Sequence, residues 1–122
     1  MSRPTQFTID LQALCENART LKDLAGPRST MAVVKADAYG HGALQCAMTL
    51  SPLVDAFAVA ITEEAIALRD AGIDLPILVL QGPHSREDAQ IMSSAALWPA
   101  ISGEHQIDWL EQTGAQFEQV WL

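Results

Sequence analysis

Apolar segments over residues 30–35, 56–61, 77–80 and 97–101 recur at roughly 20 to 25 residue intervals, and within Met31-Ala32-Val33-Val34 and Ile77-Leu78-Val79-Leu80 no polar residue interrupts the run. A strand with one face in water alternates apolar and polar side chains, whereas a run apolar at every position must be covered on both faces. Between the runs the period changes. Leu11, Leu14, Cys15, Ala18 and Leu21 recur at helical spacing, as do Leu44, Ala47 and Met48, and later Ile107 and Leu110. Strand alternating with helix, with strands that do not alternate, predicts a parallel sheet covered by helices. A doubly wound sheet and a (β/α)8 barrel both satisfy that pattern.

The punctuation agrees with it. Residues 7–10 read as a short strand segment, after which Asp10 caps the first helix and Gly26-Pro27 stops it. Ser51-Pro52 ends the helix that follows Gly42. Thr62-Glu63-Glu64 reads as a cap with acidic first-turn residues, and Gly72 closes that helix. Gln81-Gly82-Pro83 turns into a helix that Ser85 and Asp88 can cap, and Ser102-Gly103 opens another that Gly114 ends. Pro99 weakens the fourth strand, and residues 117–122 are expected to begin a fifth.

Composition narrows the functional classes. At 122 residues and 49% hydrophobic, the chain has enough apolar material for a core. A net charge of −8 without any cluster of Lys or Arg argues against nucleic acid and against an anionic membrane surface. No apolar run approaches the roughly 18 residues that a membrane span needs, and Met1-Ser2-Arg3-Pro4 lacks a following signal core, so a cytoplasmic protein is expected. Cys15 and Cys46 form no CxxC pair and read as free thiols in a reducing compartment. His41, His84 and His105 lie far apart without partners at ligand spacing, so no metal site is expected.

What remains is an amine. The chain has two lysines: Lys22 falls on the polar side of the first helix, and Lys35 closes the first apolar strand. A lysine held where burial disfavours the ammonium form presents a neutral amine, the species that attacks an aldehyde. Position alone favours a lysine that ends a strand and reaches solvent. Gly40-His41-Gly42 suggests a dinucleotide fingerprint only until residue 45, which is Gln45 where a third glycine is required. No phosphate-loop, nucleophile-elbow or zinc-protease motif is present.

The residues behind the lysine reverse that weighting. Val33-Val34-Lys35-Ala36-Asp37-Ala38-Tyr39-Gly40-His41-Gly42 closely resembles the pyridoxal-phosphate attachment motif of the alanine racemases, in which the lysine is followed by Ala, Asn or Asp, Ala, Tyr, Gly, His, Gly. Arg3-Pro4-Thr5, Ile9-Asp10-Leu11 and Asn17 are similar to that family's opening, and Thr62-Glu63-Glu64-Ala65, Leu68-Arg69 and Ala71-Gly72 to its second barrel unit. The resemblance implies pyridoxal 5'-phosphate as cofactor and alanine as substrate, interconverted between its L and D forms. Lys35 would carry the cofactor and act as the base on the D-alanine side. Tyr39 would contact the cofactor phosphate, and Val33 and Leu80 would line the pocket. The plain alternative for Tyr39 is a buried aromatic with a satisfied hydroxyl. His41 is expected to serve loop hydrogen bonding, and Gly40 and Gly42 to serve backbone geometry.

The resemblance also sets expectations for architecture. Residues 1–10 would be an N-terminal strand segment, and residues 11–122 the N-terminal half of a (β/α)8 barrel, which takes about 250 residues when complete. The opposite-face base, a tyrosine of the partner subunit in a homodimer, would lie in a C-terminal β domain beyond Leu122. A piece of this kind is expected to be inactive and poorly folded alone, with open strand edges. Two alternatives stand beside this reading: a pyridoxal-phosphate homeostasis protein without turnover, and a decarboxylase of the same fold type. The loop after Lys35 argues against the decarboxylase.

Overall fold

The computed structural model describes residues 3–122. Four parallel strands, β1 (Met31–Val33), β2 (Ala56–Val59), β3 (Ile77–Val79) and β4 (Trp98–Pro99), lie side by side in the order in which the chain makes them. A doubly wound sheet reverses its order at a switch point; this one does not. The helices settle the matter. Phe57, Val59, Ile77 and Val79 face a core shared with α3 (Ala43–Leu50), α4 (Thr62–Asp70) and α5 (Arg86–Ser94), through Cys46, Ala47, Leu50, Ala65, Leu68 and Met92. The intervening residues Ala56, Ala58, Leu78 and Trp98 form a second cluster with Met31 and Ala100, and among the described residues no helix contributes to it. Sequential parallel strands with all helices on one face form an arc of a (β/α)8 barrel, whose inner face is the second cluster. Burial of each large outer-face side chain such as Phe57 or Ile77, both fully enclosed, contributes about 2 kcal/mol.

Most local signals act as expected. The Asp10 carboxylate accepts from Ala13 N at 3.0 Å and caps α1 (Leu11–Ala25), which Gly26 ends. Ser85 Oγ accepts from Asp88 N at 3.0 Å to start α5, and the Asp88 carboxylate accepts from His84 N. The last helix, α6 (Glu104–Thr113), begins after Gly103 and ends at Gly114.

Four expectations fail in detail. Residues 7–10 form no strand among the described residues: they pair with none of the four strands, although β1 has β2 on one side only. Thr62 does not cap α4: Ile61 holds that place, and Glu64 reaches back to accept from Ala60 N at 2.7 Å and Ile61 N at 3.2 Å. The first strand stops at Val33 instead of running through Lys35. The fifth strand is a single bridge, Ala100 to Trp121. Pro99 accounts for the last. Its carbonyl accepts from Trp121 N at 2.9 Å, so the N–H that proline lacks belongs to this same edge of the ladder.

The base of the arc is pinned by Asp55. Its carboxylate accepts from Thr30 N at 2.7 Å and from Thr30 Oγ1 at 3.3 Å, joining the starts of β1 and β2. The Thr30 backbone N–H, with smaller help from its hydroxyl and from Lys22, holds this carboxyl below the usual aspartate range against a small opposing effect of desolvation. A lowered pKa stabilises the fold above the unfolded value of about 3.9, and the contribution is lost as pH falls further through the lowered value. Asp55→Asn is therefore expected to melt below the unaltered protein near neutral pH, with the gap narrowing as pH falls below the unfolded value of about 3.9. Melting curves across that range check it; a gap unchanged by acid would refute the carboxylate's role.

Candidate functional site

The chain leaves β1 through Val34, whose φ of −121° and ψ of 22° already depart from strand geometry, and enters α2 (Lys35–Tyr39). This short turn is left-handed. Ala36, Asp37, Ala38 and Tyr39 have φ between 52° and 54°, and Gly40 continues at 85°. For a residue with a Cβ the left-handed conformation costs about 1 to 2 kcal/mol, and runs of it are rare outside glycine. Four in succession persist only where the surroundings over-determine them, and strain of this kind concentrates at functional sites.

The surroundings are a dense set of hydrogen bonds. Ala38 N donates to Val34 O at 2.9 Å, and the Asp37 carbonyl accepts from Gly40 N and Gly42 N, both at 3.0 Å. The Asp37 carboxylate accepts from Ala43 N at 2.8 Å and so caps α3. His41 Nδ1 lies 2.9 Å from Ala38 O, the loop-bonding role expected of it. Glu64 Oε1 accepts from Ala36 N at 2.6 Å, from a helix that starts after the neighbouring strand.

The named residues fall on one edge of the sheet. Val33, Ala58, Leu78 and Trp98 stand in one register row, and Val33 is 49% exposed. Leu80, two residues beyond Leu78 and 39% exposed, continues the inner face past the end of β3, where its N–H still donates to Val59 O. Lys35 is half-buried at the C-terminal end of β1. With β2 between them, β1 and β3 lie about 10 Å apart, so Val33, Lys35 and Leu80 border one shallow region. Tyr39 is 69% exposed on the turn, which removes the alternative of a buried tyrosine. The other amine, Lys22 Nζ, donates to Leu53 O at 3.1 Å, behind the sheet on the α1 side. Burial, reinforced by the nearby Asp37 charge, pushes the Cys46 thiol up, away from the reactive thiolate.

Sequence reasoning missed two residues at this edge. Gln106, only 3% exposed, donates from Nε2 to Gln81 O at 2.8 Å and Pro83 O at 3.0 Å, while its Oε1 accepts from Ser102 N at 2.8 Å. It thereby joins the loops after β3 and β4. A lone glutamine at helical spacing carries no signal of this. Glu64 was visible as an acidic first-turn residue, but its bond to Ala36 was not.

The sequence profile of a family described as "Alanine racemase, N-terminal domain" matches residues 9–122. The chain belongs to this family. Among curated relatives, an alanine racemase of Xanthomonas axonopodis pv. citri (strain 306) is 45% identical over 125 residues, 98% of this chain and 33% of that protein. One of Pseudomonas entomophila (strain L48) is 45% identical over 111 residues, covering 91% and 31% respectively. The structure of the biosynthetic alanine racemase of Pseudomonas aeruginosa superimposes with a TM-score of 0.88 at 35% identity, over 93% of this chain and 32% of that one. The alanine racemase of Acinetobacter baumannii gives 0.85 at 33% identity, with 93% and 35% covered. The chain thus spans about a third of the length of the relatives it matches. Family membership agrees with the barrel arc: the matched N-terminal domain covers every strand and helix described above. Among the described residues, no helix is long and apolar enough to cross a membrane.

Proposed function

We propose that this chain supplies the cofactor-lysine segment of an alanine racemase, a pyridoxal-phosphate enzyme that interconverts L- and D-alanine as a cytoplasmic homodimer. Residues 11–122 then form the N-terminal part of its barrel. The observation that carries the reading is Lys35 at the mouth of β1, opening a left-handed turn whose sequence matches the attachment motif. The C-terminal ends of barrel strands are where such folds keep their chemistry.

The donor set fits the cofactor. An amine and an exposed phenol share one turn, and beside them the inner face presents the exposed apolar side chains of Val33 and Leu80. Lys35 would hold the cofactor covalently, Tyr39 would bind its phosphate, and Val33 and Leu80 would flank the ring. When bound, pyridoxal phosphate supplies an aldehyde for the lysine amine and a ring system that takes up the electron pair left by a departing α-proton. Lys35 Nζ would act as the base on the D-alanine side, removing the α-proton of D-alanine and, in the opposite direction, returning one. Inversion needs a second base on the other face, and Tyr39, on the same turn as Lys35, is assigned to the phosphate instead.

The test is a covalent label. The full-length protein is incubated with pyridoxal phosphate, reduced with borohydride, digested and mapped by mass spectrometry. The pyridoxyl group is expected on Lys35; its appearance on Lys22 or on any other residue overturns the assignment.

A further inference from the structure

Glu64 does two things with one carboxylate. Its Oε2 accepts from Ala60 N at 2.7 Å and Ile61 N at 3.2 Å, the work of an ordinary helix start. Its Oε1 accepts from Ala36 N at 2.6 Å, on a different loop, 28 positions away and next in sequence to Lys35. The cap explains the first pair of bonds and leaves the third without a purpose. Ala36 is also where the left-handed stretch begins, with φ 52° and ψ 48°. An alanine free of outside contacts relaxes toward right-handed or extended geometry, and that rotation would swing the peptide that carries Lys35. The backbone bonds from Ala38 N, Gly40 N, His41 N and Gly42 N close within residues 34–42; Val34 N donates to Ala58 O just before Lys35 and the Asp37 carboxylate ties the far end to α3, so between those two anchors the Ala36 bond alone reaches the loop after β2.

We infer that Glu64 is a positioning residue for Lys35: its carboxylate cross-links the ends of β1 and β2 and holds the lysine amine at the height on the inner face where it can react. The inference rests on the reading of Lys35 as the cofactor lysine. Neither near relative of glutamate can replace it. Glutamine has a single acceptor oxygen, so one of its arms would turn an amide N–H₂ against backbone N–H donors. Aspartate is one methylene shorter and reaches one loop or the other.

Glu64→Gln and Glu64→Asp are tested in the full-length protein by three readouts: hydrogen exchange at the Ala36 amide in the cofactor-free form, the rate of borohydride-trapped pyridoxal-phosphate labelling at Lys35, and the melting temperature. In Glu64→Gln, Ala36 exchange is expected to accelerate at least about 10-fold and labelling of Lys35 to slow by about 10- to 100-fold, as a displacement of about 1 Å does to a reacting group. The melting temperature should stay within about 5 °C of the unaltered protein, because the amide oxygen can keep the cap. Glu64→Asp is expected to label slowly as well, since retained charge does not restore reach. Unchanged labelling in both variants overturns the inference. So does a slowing matched by loss of the whole fold in both, for Glu64 would then be a general stability residue. If the unaltered protein carries its label elsewhere, the reading of Lys35 falls, while Ala36 exchange still reports whether the tether exists.

Discussion

Lys35→Ala is expected to lower alanine racemisation by the full-length protein at least about 1,000-fold, with the loss in kcat. On the proposed reading, two functions would vanish with one amine: the covalent anchor of the cofactor and the base on one face of the α-carbon. The fold should barely notice. Lys35 is half-buried at a strand end, outside both apolar clusters, and substitutions at such positions usually change stability by within about 0.5 kcal/mol. Chiral chromatography of alanine after incubation, together with a melting curve, gives both quantities. Racemisation within about 10-fold of the unaltered protein would remove Lys35 from the mechanism. The same assay separates the racemase from a cofactor-homeostasis protein, which would show no inversion before or after the change.

Gly82→Ala carries the largest expected effect on stability. Gly82 sits at φ +66° in the loop after β3, and a Cβ there would overlap the Ala100 carbonyl oxygen and lie 2.8 Å from Gln106 Nε2. The left-handed backbone alone costs an alanine about 1 to 2 kcal/mol. Moving Gln106 aside also breaks its buried bonds to Gln81 O and Pro83 O, worth about 1 to 3 kcal/mol where acceptors are left unpaired. Together these predict a loss of about 3 kcal/mol or more, a large share of the stability of an ordinary domain. Gly72→Ala is the internal control. Gly72 has φ +90°, but a Cβ there meets nothing within 4 Å, so only the conformational cost of about 1 to 2 kcal/mol applies. Urea unfolding of both variants of the full-length protein separates the two effects; equal losses would show that the crowding around Gly82 relaxes freely.

The elements with strong local causes were legible. Asp10 before a helical repeat, Gly26 after it, and Ser85 ahead of α5 all do what their chemistry predicts. Unbroken apolar runs announced buried parallel strands, because a residue that faces the barrel interior and one that faces the helices must both avoid water. Boundaries were less legible where two local signals compete. Thr62 has the side chain of a cap yet lies inside α4 with a buried hydroxyl that has no partner among the described residues, because Glu64 reaches the end of β2 first. Between β4 and the last residues the apolar run outlasted the pairing, since Pro99 brings no N–H to that edge. The site was legible as a motif and illegible as a geometry. Lys35 and Tyr39 stand out as candidates by the order of residues around them, whereas Gln106 and the second arm of Glu64 bond to loops 23 and 28 positions away.

By itself the sequence determined the class of fold, the family, and which amine to suspect, because periodicity and a contiguous motif are properties of residues close together in the chain. Periodicity alone left open whether the sheet was doubly wound or part of a barrel, and the family resemblance favoured the barrel. The tertiary structure bears that out, through strands in sequential order with the helices that pack on the sheet all on one face. It also decided that the turn after Lys35 is left-handed, something four residues with Cβ atoms would not adopt by local preference. One bond from Glu64, 28 positions away, reaches that turn, and only folding brings it within range.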